Sequence, residues 1–577
     1  MNKIKQLRNI LNQQNCDAYL VPKNDEYFGE YVPKYKDRLK FISGFTGSTG
    51  FALIFKNKSY LFVDGRYILQ AKNESSKNFE ICEIPKVTPH HILNNINKKI
   101  TLGFDPKLFT TSKLKNIVSN SSVNLKPINI NLIDKIWKNK IKVSNNKFYL
   151  LEKKYHGENY LNKINKVSKL LKSKNIHYLL ITAVENISWL LNIRGSDALS
   201  SPLTNGKVLF SKNGKIIFFT NIKKITPQIK KFFKKRVVIV KEESFVNHLS
   251  KIKKSKILID RKTCSFYYEN KIDSTNKLIN IEDPIYLFKA IKNKTEINNT
   301  KIAHLFDGIA LTKFIFWLKN NYKKIKITEI SAQNKLENFK KQNKEYLYPS
   351  FSTISAFGAN GAIVHYKSNN KTNKTIKANN LYLLDSGSQY FFGTTDMTRT
   401  IAIGKVSNFQ KKIYSNVLKG HIAVASYKLN KSTLGKHVDK VARVNLLKLG
   451  HNYSHGTGHG VGYFLNVHEG PQALSPFNNH KILPGMILSN EPGFYKENDF
   501  GVRIENLIYC EKIINNNLKF TNLTMVPIDK DCINKKLLNK NEINWINNYH
   551  RIIFHVLKPF MSNIELKLLS NACSAIS

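Results

Sequence analysis

The sequence predicts a multidomain protein that combines α/β and α+β folds. Its 577 residues exceed what one hydrophobic core supports, so roughly three to four domains are expected. Helix and strand patterns alternate through residues 1–145 and again through residues 146–283, as in α/β domains. Residues 284–520 begin with a long amphipathic helix and continue in strands and glycine-rich turns, and residues 521–577 form a helical appendage.

The first region begins with an amphipathic helix, predicted over residues 1–16, and continues into a β-hairpin. The hairpin strands are Phe51–Phe55 and Tyr60–Val63, joined by a turn at residues 57–58. Glycines within residues 44–50 could form a phosphate loop, but a strand follows where a helix should begin. Turn geometry is therefore the favoured interpretation.

The second region repeats this rhythm of helix and strand. A helix is predicted from Tyr160 to Lys174, and strands are predicted at residues 177–182, 207–210, 215–219 and 237–240. The segment from Trp189 to Asp197 is interpreted as a buried tryptophan that packs in the core, followed by a loop. Neither of the first two regions contains a catalytic constellation in its sequence, so the chemistry is expected after residue 284.

The composition favours a cytoplasmic protein without a membrane partner. No stretch approaches the roughly 20 apolar residues that span a bilayer, and the N-terminus lacks the features of a secretory signal. The six cysteines are scattered without a CxxC pair, which indicates neither a disulfide scaffold nor a zinc knuckle. A reducing cytoplasm is the simplest compartment for such a chain.

The net charge of +52 is interpreted as compositional bias, and no specific nucleic-acid partner is expected. Only 10 of the 92 basic residues are arginine, which leaves 82 lysines, and arginine is the better reader of phosphates and bases. The lysines are spread along the whole chain. Such a charge still attracts anionic material loosely at low salt.

The third region places two aspartates near one sheet edge. It begins with a helix over residues 296–319, and an apolar strand then ends at Asp385. Asp396 follows eleven residues later, after Phe391–Gly393, which can reverse the chain. Two neighbouring antiparallel strands would bring both carboxylates together, although a pair of aspartates alone is weak support for a site.

Histidines and glutamates strengthen the case. His455 and His459 lie among four glycines, and His468 follows nine residues after His459. A glycine-rich surface loop with exposed histidines is the simpler alternative. Glu491 closes an apolar strand, and Glu505 is predicted within the next strand. Buried carboxylates require a neutralising cation, and this donor set suits Mn²⁺, or Co²⁺ and Zn²⁺ as substitutes.

The motifs resemble those of the pita-bread metallopeptidases, family M24, and within them the aminopeptidase P group of the long, cytosolic type. The resemblance rests on residues 455–471 and 499–506 and extends to residues 44–66, 189–197 and 523–550. It implies two N-terminal creatinase-like α/β domains over residues 1–145 and 146–283. It further implies a pita-bread catalytic domain over residues 284–520 and a C-terminal extension over residues 521–577.

The resemblance also implies the site. The implied ligands of two divalent ions are Asp385, Asp396, His459, Glu491 and Glu505. Asp385 and Glu505 would bridge or flank the ions, with Asp396 on one ion and His459 and Glu491 on the other. The implied catalytic residues are His365, His455, His468, Glu491, Arg503 and Tyr495, and Thr398 would support Asp396.

The implied activity is removal of the first residue from peptides whose second residue is proline. Hydroxide formed between the two ions would attack the carbonyl of the first residue. Glu491 would carry a proton to the leaving nitrogen, and His468 would stabilise the tetrahedral oxyanion. A homodimer is expected because relatives are commonly dimers. The alternatives are a prolidase that cuts only dipeptides, an inactive relative that binds nucleic acid or protein, and a creatinase-like hydrolase.

Overall fold

A computed structural model describes residues 3–96, 99–119, 122–138, 140, 145–233, 236–513 and 517–577. The chain divides into two compact units. The first comprises residues 1–152 and 158–286, and the second comprises residues 153–157 and 287–577. Among the described residues, no helix is both long enough and apolar enough to cross a membrane.

The first unit contains two mixed sheets, of which the first lies within residues 18–127. Its strands are β1 Ala18–Pro22, β2 Phe51–Phe55, β3 Ser59–Asp64, β4 Glu80–Ile84, β5 Ile100–Phe104 and β6 Val123–Pro127. The accompanying helices are α1 Lys3–Gln13, α2 Arg38–Ser43, α3 Ile68–Glu74, α4 Pro89–Asn94, α5 Thr111–Val118 and α6 Leu132–Ile136. The strand order is β4-β3-β2-β1-β5-β6.

The next stretch of chain supplies the second sheet. Its elements are β7 Tyr149–Leu150, α7 Lys153–His156, α8 Tyr160–Ser173, β8 Tyr178–Ile181, α9 Val184–Leu190, β9 Ile193–Arg194, β10 Lys207–Ser211, β11 Ile216–Thr220, α10 Pro227–Phe233, β12 Val237–Lys241, α11 Phe245–Ser250, β13 Lys256–Ile259, α12 Phe266–Glu269, β14 Lys277–Asn280 and α13 Ile285–Ala290. The strand order is β12-β11-β10-β8-β13-β14.

The two sheets share one topology. In each, the central strand pairs antiparallel with the first strand of a hairpin on one side. On its other side it pairs with a parallel strand, which in turn pairs with a second parallel strand. The far strand beyond each hairpin is again parallel to its neighbour. Residues 18–127 and 178–280 are therefore two copies of one α/β arrangement, and the predicted hairpin at residues 51–63 is confirmed.

The second unit contains the longest helix and the sheets that follow it. Its helices are α14 Lys294–Asn321, α15 Glu329–Lys341, α16 Asn408–Ala425, α17 Gly435–Leu447, α18 Lys540–Leu557 and α19 Asn563–Cys573. Its strands are β15 Ile354–Phe357, β16 Asn380–Asp385, β17 Gln389–Tyr390, β18 Gly393–Thr394, β19 Thr398–Ile403, β20 Gly458–Gly460, β21 Glu469–Leu474, β22 Ile487–Asn490, β23 Gly493–Lys496, β24 Phe500–Arg503, β25 Asn506–Lys512 and β26 Leu518–Asn522.

These strands form two main sheets, ordered β15-β16-β19 and β21-β20-β22-β25-β26, with small pairs β17–β18 and β23–β24 beside them. The apolar face of α14 packs on the three-stranded sheet through a buried cluster that includes Leu311, Phe314, Tyr382, Leu384 and Ile401. A second cluster joins α16 to α18 through Ile413, Val417, Ile546 and Ile553. The helices thus cover the sheets and fix the strand ends that carry the site.

The predicted helical appendage contains two helices. α18 ends at Leu557, and α19 begins at Asn563 after a short 3-10 turn that contains Pro559. Proline lacks the backbone N–H that continues a helix, and Ser562 and Glu565 form a capping box that starts a new one. The appendage is therefore divided into two helices at Pro559.

Candidate metal centre

The two aspartates lie at one end of the three-stranded sheet. β16 pairs antiparallel with β19, and Asp385, the last residue of β16, stands opposite Thr398. The β17–β18 hairpin reverses the chain between them, so that Asp396 comes just before β19. Both aspartates are buried. The predicted chain reversal at Phe391–Gly393 therefore brings the two carboxylates to the same sheet edge.

His459 and Glu491 come from neighbouring strands of the five-stranded sheet. His459 lies in β20, which pairs with β22, and Glu491 directly follows β22. Ser489 connects them: its hydroxyl accepts the His459 backbone N–H at 2.9 Å and donates to Glu491 Oε1 at 3.0 Å. One hydroxyl thus connects the His459 backbone to the Glu491 carboxylate.

Glu505 joins the two sheets. It was predicted within a strand, but it lies in the connection between β24 and β25, where the chain leaves one strand pair for the five-stranded sheet. The Thr398 hydroxyl donates to Glu505 Oε2 at 2.7 Å, and the Glu505 backbone N–H donates to the Thr398 carbonyl at 3.1 Å. These bonds turn the side chain toward the two aspartates.

The donor atoms converge on one point. One ligand atom each from Asp396, His459 and Glu505 lies within 4.8 Å of the other two. His459 Nε2 is 3.4 Å from Asp396 Oδ2 and 3.5 Å from Glu491 Oε1. His459 Nδ1 lies 2.9 Å from the Gly460 carbonyl, which can only accept, so Nδ1 carries the proton. The Nε2 lone pair is left facing the carboxylates.

The charge of this cluster favours bound cations. Burial and the neighbouring Asp396 raise the pKa of Asp385 to about 7 despite its ion pair with Arg503, and burial with Asp396 and Glu491 raises the pKa of Glu505 well above its usual range. Asp385 Oδ1 is buried without a hydrogen-bond partner among the described residues. Hard oxygen donors with one imidazole fit Mn²⁺, Co²⁺ or Zn²⁺.

The histidine at this site also responds to the carboxylates. Burial alone would lower the pKa of His459. Hydrogen bonding to Asp396 and the charges of Glu491 and Asp396 outweigh burial and raise this pKa to about 9. A divalent ion would displace the proton of this imidazole and take its place between the same atoms.

A chain of hydrogen bonds connects Arg503, Tyr495 and His455 beside the carboxylates. Arg503 Nη2 donates to Asp385 Oδ2 at 2.6 Å, and Nη1 donates to the Tyr495 hydroxyl at 2.8 Å. That hydroxyl lies 2.8 Å from His455 Nε2, while His455 Nδ1 donates to the Gly456 carbonyl at 2.7 Å. Burial lowers the pKa of His455 to about 4, so the ring is neutral and accepts the tyrosine proton.

The remaining two predicted histidines flank the cluster. The His468 ring packs edge-on against His459, with ring centroids 4.2 Å apart. His365 is half-buried in the turn that follows residues 358–362, and the carbonyl of its neighbour Val364 accepts a bond from Arg503 Nη1 at 3.4 Å. The chain therefore passes the site at His365, and its role stays a prediction.

Models of known families match almost the whole chain. Metallopeptidase family M24 matches residues 298–512, the creatinase/prolidase N-terminal domain matches residues 3–136 and, in a second form, 138–296, and the C-terminal region of peptidase M24 matches residues 516–576. Xaa-Pro aminopeptidase 1 of Dictyostelium discoideum is 36% identical, over 97% of this chain and 93% of its own length. The chain belongs to metallopeptidase family M24.

Other M24 proteins give the same picture. Probable Xaa-Pro aminopeptidase P of Laccaria bicolor is 33% identical over 100% of this chain and 93% of its own. The crystal structure of X-prolyl aminopeptidase from Caenorhabditis elegans, described as a cytosolic enzyme with a di-nuclear active site, superposes with a TM-score of 0.94 at 30% identity, covering 100% of this chain and 99% of that one. A prolidase from Thermococcus sibiricus matches with a TM-score of 0.52 at 25% identity, over 64% of this chain and 98% of its own. The predicted fold class, with creatinase-type N-terminal domains before an M24 catalytic domain, is confirmed.

Several residues that support this M24 site were missed from the sequence. Asp439 and Arg443 pair within α17, and Arg443 Nη2 donates to the His455 carbonyl at 2.7 Å. The buried Arg399 donates to the Glu505 carbonyl at 2.7 Å. The spacing of four residues between Asp439 and Arg443 could have indicated an ion pair on one helix face. No local signal connects Arg399 to Glu505, which lies 106 residues further along the chain.

Proposed function

We propose that this chain is a metal-dependent aminopeptidase that removes the first residue from peptides whose second residue is proline. The observation that carries the proposal is the convergence of Asp396, His459 and Glu505, whose ligand atoms lie within 4.8 Å of one another. The half-buried Glu491 lies 3.5 Å from His459, and the buried Asp385 lies at the same sheet edge as Asp396. Proteins named Xaa-Pro aminopeptidase match the chain over nearly its full length, which supports this substrate class over a dipeptide.

The five side chains would hold two divalent ions. Four carboxylates beside one arginine leave a net charge of about −3, and two divalent cations would offset it. The resemblance implies Asp385 and Glu505 as the shared ligands. The distance of 3.4 Å between Asp396 and His459 is short enough for these two side chains to hold the same ion. Manganese is the expected metal, and cobalt or zinc are substitutes.

When bound, the ions would lower the pKa of water so that the nucleophile forms near neutral pH. Glu491 is the proposed proton carrier. Burial would raise its pKa, but the positive charges of His459 and Arg503 oppose burial and the pKa is lowered, so the carboxylate is ionised and can accept a proton. An Xaa-Pro bond has no N–H, and its nitrogen must gain a proton to leave as an amine. Glu491 would deliver that proton.

His468 would donate a hydrogen bond to the oxygen that becomes negative as the carbonyl is attacked. Its ring stands beside the ring of His459, on the edge of the carboxylate cluster. His455 would be held by Tyr495 and Arg503 as a neutral ring, and His365 would contact the substrate near the scissile bond. These roles place the polar donors around the reacting carbonyl, while the carboxylates would bind the free α-amine of the substrate.

A cytoplasmic homodimer is part of the proposal. The Caenorhabditis elegans relative is described as cytosolic, and all six cysteines of this chain are free thiols, as a reducing compartment allows. Dimerisation is expected from the resemblance alone, and sedimentation of the purified protein would measure it.

The test is removal and return of the metal. We expect the chelated protein to lose hydrolysis of an X-Pro-Y tripeptide and to regain it with Mn²⁺, while an X-Ala-Y tripeptide stays intact. Asp396→Asn should reduce the recovered rate by at least about a thousandfold, because it removes a charged ligand from the group of donor atoms that would hold the ions. Recovery of near-normal activity in that variant would refute the site.

A parallel assay with a dipeptide substrate distinguishes this proposal from the prolidase alternative. The proposed enzyme cleaves X-Pro-Y efficiently, whereas a prolidase acts on X-Pro alone. A rate on the dipeptide that exceeds the rate on the tripeptide would reassign the substrate while leaving the metal centre in place.

A further inference from the structure

A buried ion pair lies behind the turn that carries the two aspartate ligands. Asp307 on α14 and Lys340 on α15 approach to 3.6 Å, and their side chains are 4% and 1% exposed. Neither residue belongs to the proposed ligand set. Both project into the loop between Asp385 and Asp396.

Lys340 holds the beginning of this loop. Its Nζ donates to the Ser386 hydroxyl at 2.7 Å and to the Gly387 carbonyl at 3.0 Å. Ser386 directly follows Asp385 in the chain. The lysine therefore fixes the position of the backbone next to the first aspartate ligand.

Asp307 holds the end of the loop. Its Oδ2 accepts the Thr395 hydroxyl at 2.8 Å, and its Oδ1 accepts the Ser388 hydroxyl at 2.6 Å. Thr395 directly precedes Asp396, and its hydroxyl also accepts the Ser388 backbone N–H at 2.9 Å. The aspartate therefore fixes the backbone next to the second ligand.

We propose that Asp307 and Lys340 are positioning residues that set the separation of Asp385 and Asp396 for metal binding. An ion pair this deep is a poor source of stability, since desolvation offsets most of its attraction. The two residues come from different helices, and their hydrogen bonds reach the residues next to both proposed ligands. Packing of the helices alone would not require these bonds. The inference rests on the metal binding of the proposed function.

The physical reason is the narrow tolerance of a metal site. Ligand distances must stay within about 0.2 Å of their preferred values, and the groups that orient the ligands control affinity. α14 and α15 are regular helices of 28 and 13 residues, so they form a rigid frame for the loop. Without the pair, the two carboxylates would relax apart under their mutual repulsion.

The experiment is a direct Co²⁺ titration of the apoprotein, followed by the visible absorption of the bound ion. The main variant is Asp307→Asn/Lys340→Met, which removes both charges together and leaves no buried charge unpaired. The matched control is Lys319→Met/Asp529→Asn, which removes an ion pair of 2.7 Å from the same helix α14 without touching the loop. Far-UV circular dichroism at the titration temperature checks folding.

We expect the main variant to bind Co²⁺ at least about tenfold more weakly and to show an altered absorption band. The control should stay within about twofold of the wild type. Thr395→Val and Ser386→Ala each remove one link and should weaken binding severalfold; they decide the question if the main variant does not fold. Unchanged affinity and absorption in the folded variants would overturn the inference. Failure of the wild type to bind any metal would overturn the proposed function instead.

Discussion

At the scale of single residues, one phenol connects Arg503 to His455. Tyr495 accepts from Arg503 and donates to His455, and burial raises the pKa of this tyrosine to about 12. We expect Tyr495→Phe to leave the metal content unchanged and to lower kcat by at least about tenfold, because His455 loses its donor. Steady-state kinetics with metal analysis would measure both quantities.

Tyr509→Phe is the matched control for that variant. Tyr509 lies in β25 of the five-stranded sheet, and its hydroxyl donates at 2.8 Å to Glu511, which is not a proposed ligand. We expect kinetics close to those of the wild type. Equal loss of kcat in both variants would show that removing a hydroxyl from this half of the protein acts through stability and that the hydrogen-bond chain has no special role.

At the scale of elements, α18 carries a histidine that reports on the C-terminal extension. His550 is fully buried, its Nε2 accepts the Ile528 backbone N–H at 3.1 Å, and burial with nearby cationic charges lowers its pKa to about 4. The folded protein therefore keeps this ring neutral below pH 6.5, where the unfolded chain takes up a proton. The histidine contributes stability that is present above pH 6.5 and is lost as the pH falls toward 4.

His550→Gln should remove this pH dependence, since a glutamine oxygen can accept the same N–H without titrating. We expect the wild type to lose about 3 kcal/mol more stability than the variant between pH 6.5 and pH 4. The melting temperature measured across that range checks the difference. Parallel pH profiles for the two proteins would contradict the assignment.

The sequence predicted elements well where the signal was local. The hairpin at residues 51–63 alternates apolar positions around a turn, and the helix over residues 296–319 keeps its apolar spacing through α14. Glu505 was wrongly predicted within a strand because the segment from Val502 to Asn506 has the pattern of one continuous strand. Only the strand pairing shows that the chain changes sheets there, since β24 pairs with β23 and β25 pairs with β22.

The site residues, too, were predicted from the sequence where the signal is local and missed where it is not. The glycine- and histidine-rich motif around His459 could be recognised from a few adjacent residues. The same is true of the apolar strands that end at Asp385 and Glu491. Asp307 and Lys340 could not be recognised in this way, because each acts on a loop that lies between 46 and 88 residues further along the chain. Such contacts depend on how α14 and α15 pack, which no local pattern encodes.

At the scale of the whole molecule, the charge of +52 predicts weak and salt-dependent binding to nucleic acid. Scattered lysines release counterions without reading bases, so affinity for duplex DNA should fall by about a thousandfold or more between 50 and 200 mM salt. Fluorescence anisotropy at several salt concentrations would measure this slope. Removal of the metal should leave it unchanged, and sequence-selective binding at physiological salt would contradict the interpretation.

The five proposed ligands lie between residues 385 and 505, and Arg399 ties them to chain synthesised later still. Its guanidinium bonds the carbonyls of Glu505, Val526 and Pro527 and the hydroxyl of Tyr549 on α18. During translation from the N-terminus, the creatinase-type modules would leave the ribosome long before these partners exist. The nascent polypeptide would acquire its ions only after Tyr549 has emerged, so that hydrolytic capacity appears well after the N-terminal modules have formed.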